Sequence, residues 1–238
     1  MDTTVDSLRT TTLPLLRRFG VDGDIQLQIK KRGAPPGGGG EVVFVCPMVK
    51  QLTPIHLMEE GFVKRVRGVA YSTRVSPQNA NRMVEAARGV LNAFLPDVHI
   101  FTDHYKGSES GKSPGFGLSL VAKTTEDCLI SAECTASQRE LLPEDVGRKA
   151  ALMLCQEVAN RGCVDTSNQA LVLLLMVLGP EDVSKVRLGK LSPYTIGVLR
   201  HIRDFFGTTF KIAPDAETKT VVLSCMGTGY KNLARSVC

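Results

Sequence analysis

The densest chemical signal in this 238-residue chain is RGAPPGGGG, from Arg32 to Gly40. Consecutive glycines leave backbone N–H groups free to cup an anion, and a neighbouring arginine adds charge. Arg32, Gly37, Gly38 and Gly39 are therefore candidate anion ligands. A structural turn between two strands is the other reading. A nucleotide P-loop does not fit, because the glycines precede a strand, Glu41 follows them, and no helix N-terminus is at hand. GKS at Gly111–Ser113 is a poor match as well, since Pro114 and Gly115 follow it. The four histidines, His56, His99, His104 and His201, show no HxH or HExxH spacing. No metal site and no cofactor are expected. Asp103, His104 and Lys106 read as a turn before they read as an acid–base pair. Arg200, His201, Arg203 and Asp204 fall in a helical stretch. Arg200 and Asp204 are spaced for an ion pair, and Arg200 and Arg203 share a face that suits a phosphate or carboxylate partner.

Charge and cysteines narrow the function classes. The net charge is only +5, yet residues 62–90 hold Lys64, Arg65, Arg67, Arg74, Arg82 and Arg88 against Glu85 alone. That segment is either a solvated face or a surface for RNA or an acidic partner. Trp is absent and aromatic residues are sparse, which disfavours a single-strand platform of stacked rings. The seven cysteines are odd in number and none has CxxC spacing. A reducing compartment without a disulfide framework or zinc site is expected. The longest apolar run, Ala170 to Leu178, is nine residues, against about 20 for a membrane span, so no membrane partner is expected.

The elements that must position these residues are legible from periodicity. Leu8, Leu15, Leu16 and Phe19 mark a helix that Pro14 should kink or divide and Gly20 should stop. Strands are expected at Ile25–Lys30 and Glu41–Cys46, with the glycine run between them. A strand at Val63–Val75 leads through Ser76-Pro77 into a helix lined by Ala80, Val84, Ala87, Leu91 and Leu95. Three strands follow, at Val98–Thr102, Phe116–Lys123 and Cys128–Cys134. The first two of these are joined by a polar stretch, DHYKGSESGKSPG, read as an exposed loop. Two helices are expected after Pro143, then a short strand, then a helix Ser192–Gly207, and finally strands near Phe210–Ile212 and Thr220–Cys225.

An internal echo joins the two ends of the chain. LLRRFG…IQLQI…EVVFVC and IRDFFG…FKI…KTVVLSC share one plan: a helix ending in Phe-Gly, a strand, a turn, and a strand ending in Cys. The fold class expected is α+β, with repeated units of helices packed on a four-stranded sheet and a smaller inserted α+β domain. The expected divisions are residues 1–57, a partial repeat; 58–140, the insert; and 141–238, the later repeat. Because the later unit has more helices ahead of its strands, residue 1 is expected to fall inside a fold whose first repeat precedes it.

RGAPPGGGGEV, LLPEDVGRKAA, VDTSNQALVLLLMVLG and LSPYTIGVLRHIRDFFG, taken in order, resemble the RNA 3′-terminal phosphate cyclase superfamily. The non-cyclase eukaryotic branch is the nearer match, through YSTRVSPQNANRMVEAAR and GKSPGFGLSLVAKTT. Cyclases carry a His-x-x-Thr-Asn motif whose His takes AMP from ATP. Here the aligned stretch is Ser192-Pro193-Tyr194-Thr195-Ile196, and the cyclase Asp-Gln pair is Asn168-Gln169. A serine without a neighbouring base cannot replace the ring nitrogen. The resemblance thus implies a pseudoenzyme with no catalytic residue, Ser192 being the lost nucleophile position. It implies a nuclear, nucleolar role in small ribosomal subunit assembly, with a ribosome-biogenesis GTPase, processome proteins and pre-ribosomal RNA as partners. An alternative it also carries is an endoribonuclease that cuts pre-ribosomal RNA through Arg200, His201 and Arg203. Candidate RNA or partner contacts are Arg32, Gly37, Gly38, Gly39, Arg65, Arg67, Arg74, Arg82, Arg88, Arg200 and Arg203.

Overall fold

The computed structural model, which describes residues 3–136 and 142–234, holds a two-stranded hairpin and two four-stranded sheets, each of the latter packed with helices. The chain is α+β. It opens with helical turns α1 (Val5–Ser7), a π turn over Leu8–Thr12, and α2 (Leu13–Arg18). The π turn ends just ahead of Pro14, where a ring that cannot donate would break ordinary helical pairing. Gly20 then stops the helix at φ +79°.

Strands β1 (Gln26–Lys31) and β2 (Glu41–Val45) form an antiparallel hairpin around the glycine run. A small core of Leu13, Val21 and Ile25 lies between the helix and this hairpin. The second layer is a sheet in the order β5-β4-β6-β7, made of β4 (Val63–Thr73), β5 (Val98–Tyr105), β6 (Gly115–Thr124) and β7 (Leu129–Thr135). Helices α3 (Gln78–Leu91) and α4 (Pro143–Ala159) cover one face and bury Val66, Ala70, Met83, Leu118, Leu120 and Leu154. Two-residue periodicity along β4 puts Val66 and Ala70 under the helices and leaves Arg65 and Arg67 on the opposite face. Helix α4 packs on α3, β6 and β7, so this layer extends past the division expected at residue 140 to Ala159. Residue 140 itself lies outside the described residues.

The remaining layer is a sheet in the order β3-β8-β10-β9, from β3 (His56–Leu57), β8 (Val183–Leu188), β9 (Lys211–Asp215) and β10 (Thr220–Met226). Its core holds Val172, Leu173, Met176, Val186, Leu188, Ile202 and Leu223, from α5 (Gln169–Val177), α6 (Pro193–Phe206) and the strands. Helix α6 carries the expected signals. The Ser192 hydroxyl accepts from Thr195 N at 3.1 Å, Pro193 opens the first turn, and Gly207 at φ +66° closes it.

The echo between the chain's ends is visible in three dimensions. Gly20 and Gly207 both end a helix in the left-handed region and both precede an antiparallel hairpin. The hairpins differ in company: β9–β10 sits in four strands, β1–β2 in two. Among the described residues no helix is long and apolar enough to cross a membrane.

Candidate functional site

The glycine run does not hang free. It folds back on itself, Gly38 N donating to Ala34 O at 2.9 Å, and then meets the 106–114 loop. Arg32 N donates to Glu109 O, Gly111 N to Arg32 O and Lys112 N to Gly38 O, at 3.0, 2.8 and 2.9 Å. Gly37 N donates to Ser113 Oγ at 2.9 Å, and Arg74 Nε donates to Gly111 O at 2.6 Å. The stretch expected as an exposed loop is corrected in part: β5 continues to Tyr105, and Ser110, Gly111 and Ser113 are buried against the glycine run, while residues 106–109, Lys112 and Pro114 are exposed as expected. Polar loops can be buried once another loop satisfies their backbone groups. At Gly111 a side chain would run into Gly38 O and Gly33 Cα, so only glycine lets the two loops touch. Gly38 and Gly39 hold φ +57° and +77°.

Arg32 lies at the root of this assembly and is 6% exposed. Its Nη1 and Nη2 reach Asp6 Oδ2 and Oδ1 at 2.5 and 3.0 Å, and Nη2 also reaches Asp103 at 3.4 Å. The Tyr71 and Tyr105 rings lie 4.5 and 5.2 Å from its guanidinium carbon. Burial opposes the charge, but the Asp6 hydrogen bond and attraction outweigh it and hold Arg32 above its ordinary value. Burial pushes the Tyr71 phenol up to about 12. The expectation of Arg32 as an open anion ligand is corrected, because its terminal nitrogens already face carboxylates. Of Gly37, Gly38 and Gly39, the first two have their N–H groups engaged within the protein. A cleft of about 590 Å³ lies beside the run, lined by Thr3, Thr4, Lys31, Ala34, Pro36 and Val42 among others.

A second polar centre sits at the start of α5. Asp165 is buried and accepts from Ser131 N and Oγ at 3.0 and 2.8 Å and from Asn168 N at 3.0 Å. Burial raises its pKa above the ordinary carboxylate value despite these donors. Asn168 Nδ2 donates to Asp165 at 3.0 Å, and Asn168 Oδ1 accepts from Thr12 Oγ1 at 2.9 Å. Next to it, Gln169 Oε1 accepts from Thr195 Oγ1 at 2.9 Å, while Gln169 Nε2 donates to Lys190 O at 3.1 Å. Ser192 Oγ lies 2.8 Å from Thr195 Oγ1 and caps α6. Among the described residues no histidine or carboxylate hydrogen-bonds to Ser192. Its hydroxyl is engaged as a helix cap, with no base to activate it.

The remaining expected residues are scattered. Arg67 pairs with Asp97 at 2.7 Å and Arg82 with Glu144 at 2.6 Å. Arg65 faces Lys123 across the strands, on the face opposite α3, which carries Arg82 and Arg88. Arg65, Arg67, Arg74, Arg82 and Arg88 therefore do not form one patch, because a strand and a helix on opposite sides of a sheet cannot present side chains in one direction. On α6 the expected Arg200–Asp204 pair is replaced by Arg203–Asp204 at 2.9 Å. Arg200 and His201 are exposed. Among the described residues no group of three His, Cys, Asp or Glu side chains could hold a metal ion. Asp6, Thr12, Ser131 and Asp165 were missed by sequence reasoning. The Asp6–Arg32, Ser131–Asp165 and Thr12–Asn168 bonds span 26, 34 and 156 positions, and only three-dimensional folding brings these residues together.

Comparison with known proteins follows the same lines. The family model for the RNA 3′-terminal phosphate cyclase (RTC) insert domain matches residues 58–159. The chain is 53% identical to the "Probable RNA 3′-terminal phosphate cyclase-like protein" of Dictyostelium discoideum, over 99% of this chain and 67% of that protein. It is 53% identical to the human "RNA 3′-terminal phosphate cyclase-like protein", over 100% of this chain and 66% of that one. It is 45% identical to the "rRNA processing protein rcl1" of Schizosaccharomyces pombe, over 99% and 66%. The chain thus spans about two thirds of the length of these relatives.

Proposed function

Because the chain belongs to the RNA 3′-terminal phosphate cyclase-like family, we propose that it acts in ribosomal RNA processing as a non-cyclising scaffold. One observation carries this reading. Where the cyclase motif places its nucleophilic histidine, Ser192 caps a helix, and its hydroxyl is spent on Thr195. Phosphoramidate chemistry requires a ring nitrogen at that point, and no other histidine bonds into the network of Asp165, Asn168 and Gln169. What remains is a shaped, buried polar framework that can hold a surface in place without turning over a substrate. The printed name of the fission-yeast relative supports ribosomal RNA processing as the setting.

In this reading the protein works in the nucleus and nucleolus within small-subunit assembly, beside a GTPase and pre-ribosomal RNA. The endoribonuclease reading has less support, since His201 stands exposed on α6 with no hydrogen-bonded side-chain partner among the described residues. The test combines two readouts. Incubation with radiolabelled ATP and a divalent metal should leave the protein unlabelled. In cells depleted of the endogenous protein, Ser192→Ala should restore precursor processing as fully as the unsubstituted protein. A covalent adenylyl-protein, or a Ser192→Ala copy that folds and fails to restore processing, refutes the scaffold.

A further inference from the structure

Cys128 and Cys163 are far apart in sequence and side by side in space. Cys128 ends the turn between β6 and β7, and Cys163 follows α4. The residues just after them, Leu129 and Val164, are partners in a parallel bridge. Parallel neighbours lie about 4.8 Å apart, and residues at matched positions project to the same side. That spacing falls in the window of roughly 4.4–6.8 Å between α-carbons that a disulfide needs. Both cysteines are free thiols, both are nearly fully buried, and both line one cavity of about 310 Å³. Their backbones are pinned, Cys128 N donating to Thr124 Oγ1 at 3.0 Å and Cys163 N to Arg187 O at 2.9 Å. Arg18 lines the same cavity, and its Nη2 donates to Asp127 O at 2.6 Å.

We propose that Cys128 and Cys163 form a peroxide-reactive thiol pair that closes to a disulfide across the two layers of the fold. The site would take hydrogen peroxide or another small hydroperoxide, which a cavity of about 310 Å³ admits. The two thiols divide the work. A hydrogen bond from Cys163 is the largest influence on Cys128; it outweighs burial, Arg18 adds to it, and together they hold the Cys128 thiol below its ordinary value. The same bond, with burial, pushes Cys163 up, so Cys163 keeps its proton. A thiolate is the attacking form. Cys128 sulfur attacks a peroxide oxygen, the O–O bond breaks, and the departing oxygen leaves as an alcohol, or as water from hydrogen peroxide, after taking a proton. Cys128 is left as a sulfenic acid. Cys163 sulfur then attacks Cys128 sulfur, the S–O bond breaks, and hydroxide leaves as water with the Cys163 proton. Two thiols are oxidised and one peroxide is reduced, which balances atoms and electrons.

The consequence is local and directed. Cys163 lies two residues before Asp165, whose carboxylate already reaches across to Ser131 on β7. A disulfide there would lock the polar centre at the start of α5 to the second sheet. This inference does not depend on the proposed role in RNA processing.

The test uses the whole reduced chain with equimolar hydrogen peroxide, thiol capping, non-reducing digestion and mass spectrometry. We expect a cross-linked peptide pair containing Cys128 and Cys163, a loss of two hydrogens, and full reversal by dithiothreitol. Cys163→Ser should trap a sulfenic acid at Cys128 that reacts with dimedone, whereas Cys128→Ser should leave Cys163 unoxidised. Oxidation of the exposed Cys46 with no Cys128–Cys163 cross-link in the unsubstituted chain overturns the proposal. So does a cross-link spread evenly among other cysteines.

Discussion

At the scale of single residues, Arg32 shows how a functional candidate becomes structural. Its sequence setting, between a basic run and four glycines, suggested a ligand for an anion. Folding places it under Asp6, Asp103 and two tyrosine rings instead. Removing one partner of a buried bidentate pair leaves the other charge uncompensated, which costs about 3–5 kcal/mol. Arg32→Met should therefore lower unfolding stability by roughly that amount in denaturant titrations. The Asp6→Asn, Arg32→Met double substitution should recover part of the loss, because the orphaned carboxylate goes with it. If Arg32→Met alone costs less than about 1 kcal/mol, the pair is not holding the glycine loop in place. Sequence reasoning had no access to this arrangement, since Asp6 lies in a helical turn with no local pattern to link it to position 32.

At the scale of elements, the sequence was most informative where periodicity and caps agree. The Ser-Pro opening and glycine stop of α6 and the alternation of β1 predicted both elements to within a residue or so. The long β4 was equally legible, because β-branched residues suit a pleated surface. What escaped was the partnering of loops, as with 106–114 against the glycine run, where burial comes from backbone hydrogen bonds that composition does not encode. The β8–β9–β10 region shows the same kind of hidden tie. Arg187 on β8 reaches Asp215 at the end of β9 at 2.7 Å and Thr220 on β10 at 2.9 Å. The Arg187 hydrogen bond, followed by those from Thr218, holds the Asp215 carboxyl down at about 2, against an ordinary value of 3.8. A lowered carboxylate adds stability above its unfolded value and loses it as pH falls through the folded one. Asp165 has the opposite sign, being raised by burial, so its ionisation weighs against the fold as pH rises above the ordinary range. Asp215→Asn should therefore unfold at a lower temperature than the parent at pH 6, with the gap closing between about pH 4 and pH 2. Thermal melts at stepped pH check this. A gap that persists unchanged at pH 2 would mean that Asp215 acts through packing and not through its charge.

At the scale of the whole molecule, two cores meet through a few polar ties. Ser131 bonds to Asp165, Thr12 to Asn168, and Arg18 to the 124–129 turn. These ties fix how the second sheet stands relative to α5 and α6, and so fix which way the exposed side of α6 faces. That side separates a scaffold from a nuclease. Arg200 and Arg203 are three positions apart and project on one flank, while His201 is turned about 100° from Arg200. Cleaving a phosphodiester without a metal needs a general base and acid near the scissile bond. On α6 His201 is the one imidazole, the side-chain type that most often does this work, and among the described residues it makes no bond to a carboxylate that could orient it. Docking on an acidic partner or a phosphate backbone requires only guanidinium groups, and Arg203 is held to Asp204 by a surface pair worth little. The two readings thus disagree about one side chain. We expect His201→Ala to leave precursor processing within about twofold of the parent, a barrier change of under 0.5 kcal/mol. Replacing Arg200 and Arg203 by Glu should reduce partner recovery and processing together, by about tenfold or more, since like charges then face one another. The deciding measurement sets purified protein against a pre-ribosomal RNA fragment, parent beside His201→Ala. Site-specific cleavage by the parent that disappears in His201→Ala would replace the scaffold with a nuclease. An uncut fragment, with partner recovery lost only in the arginine variant, is what a docking helix requires.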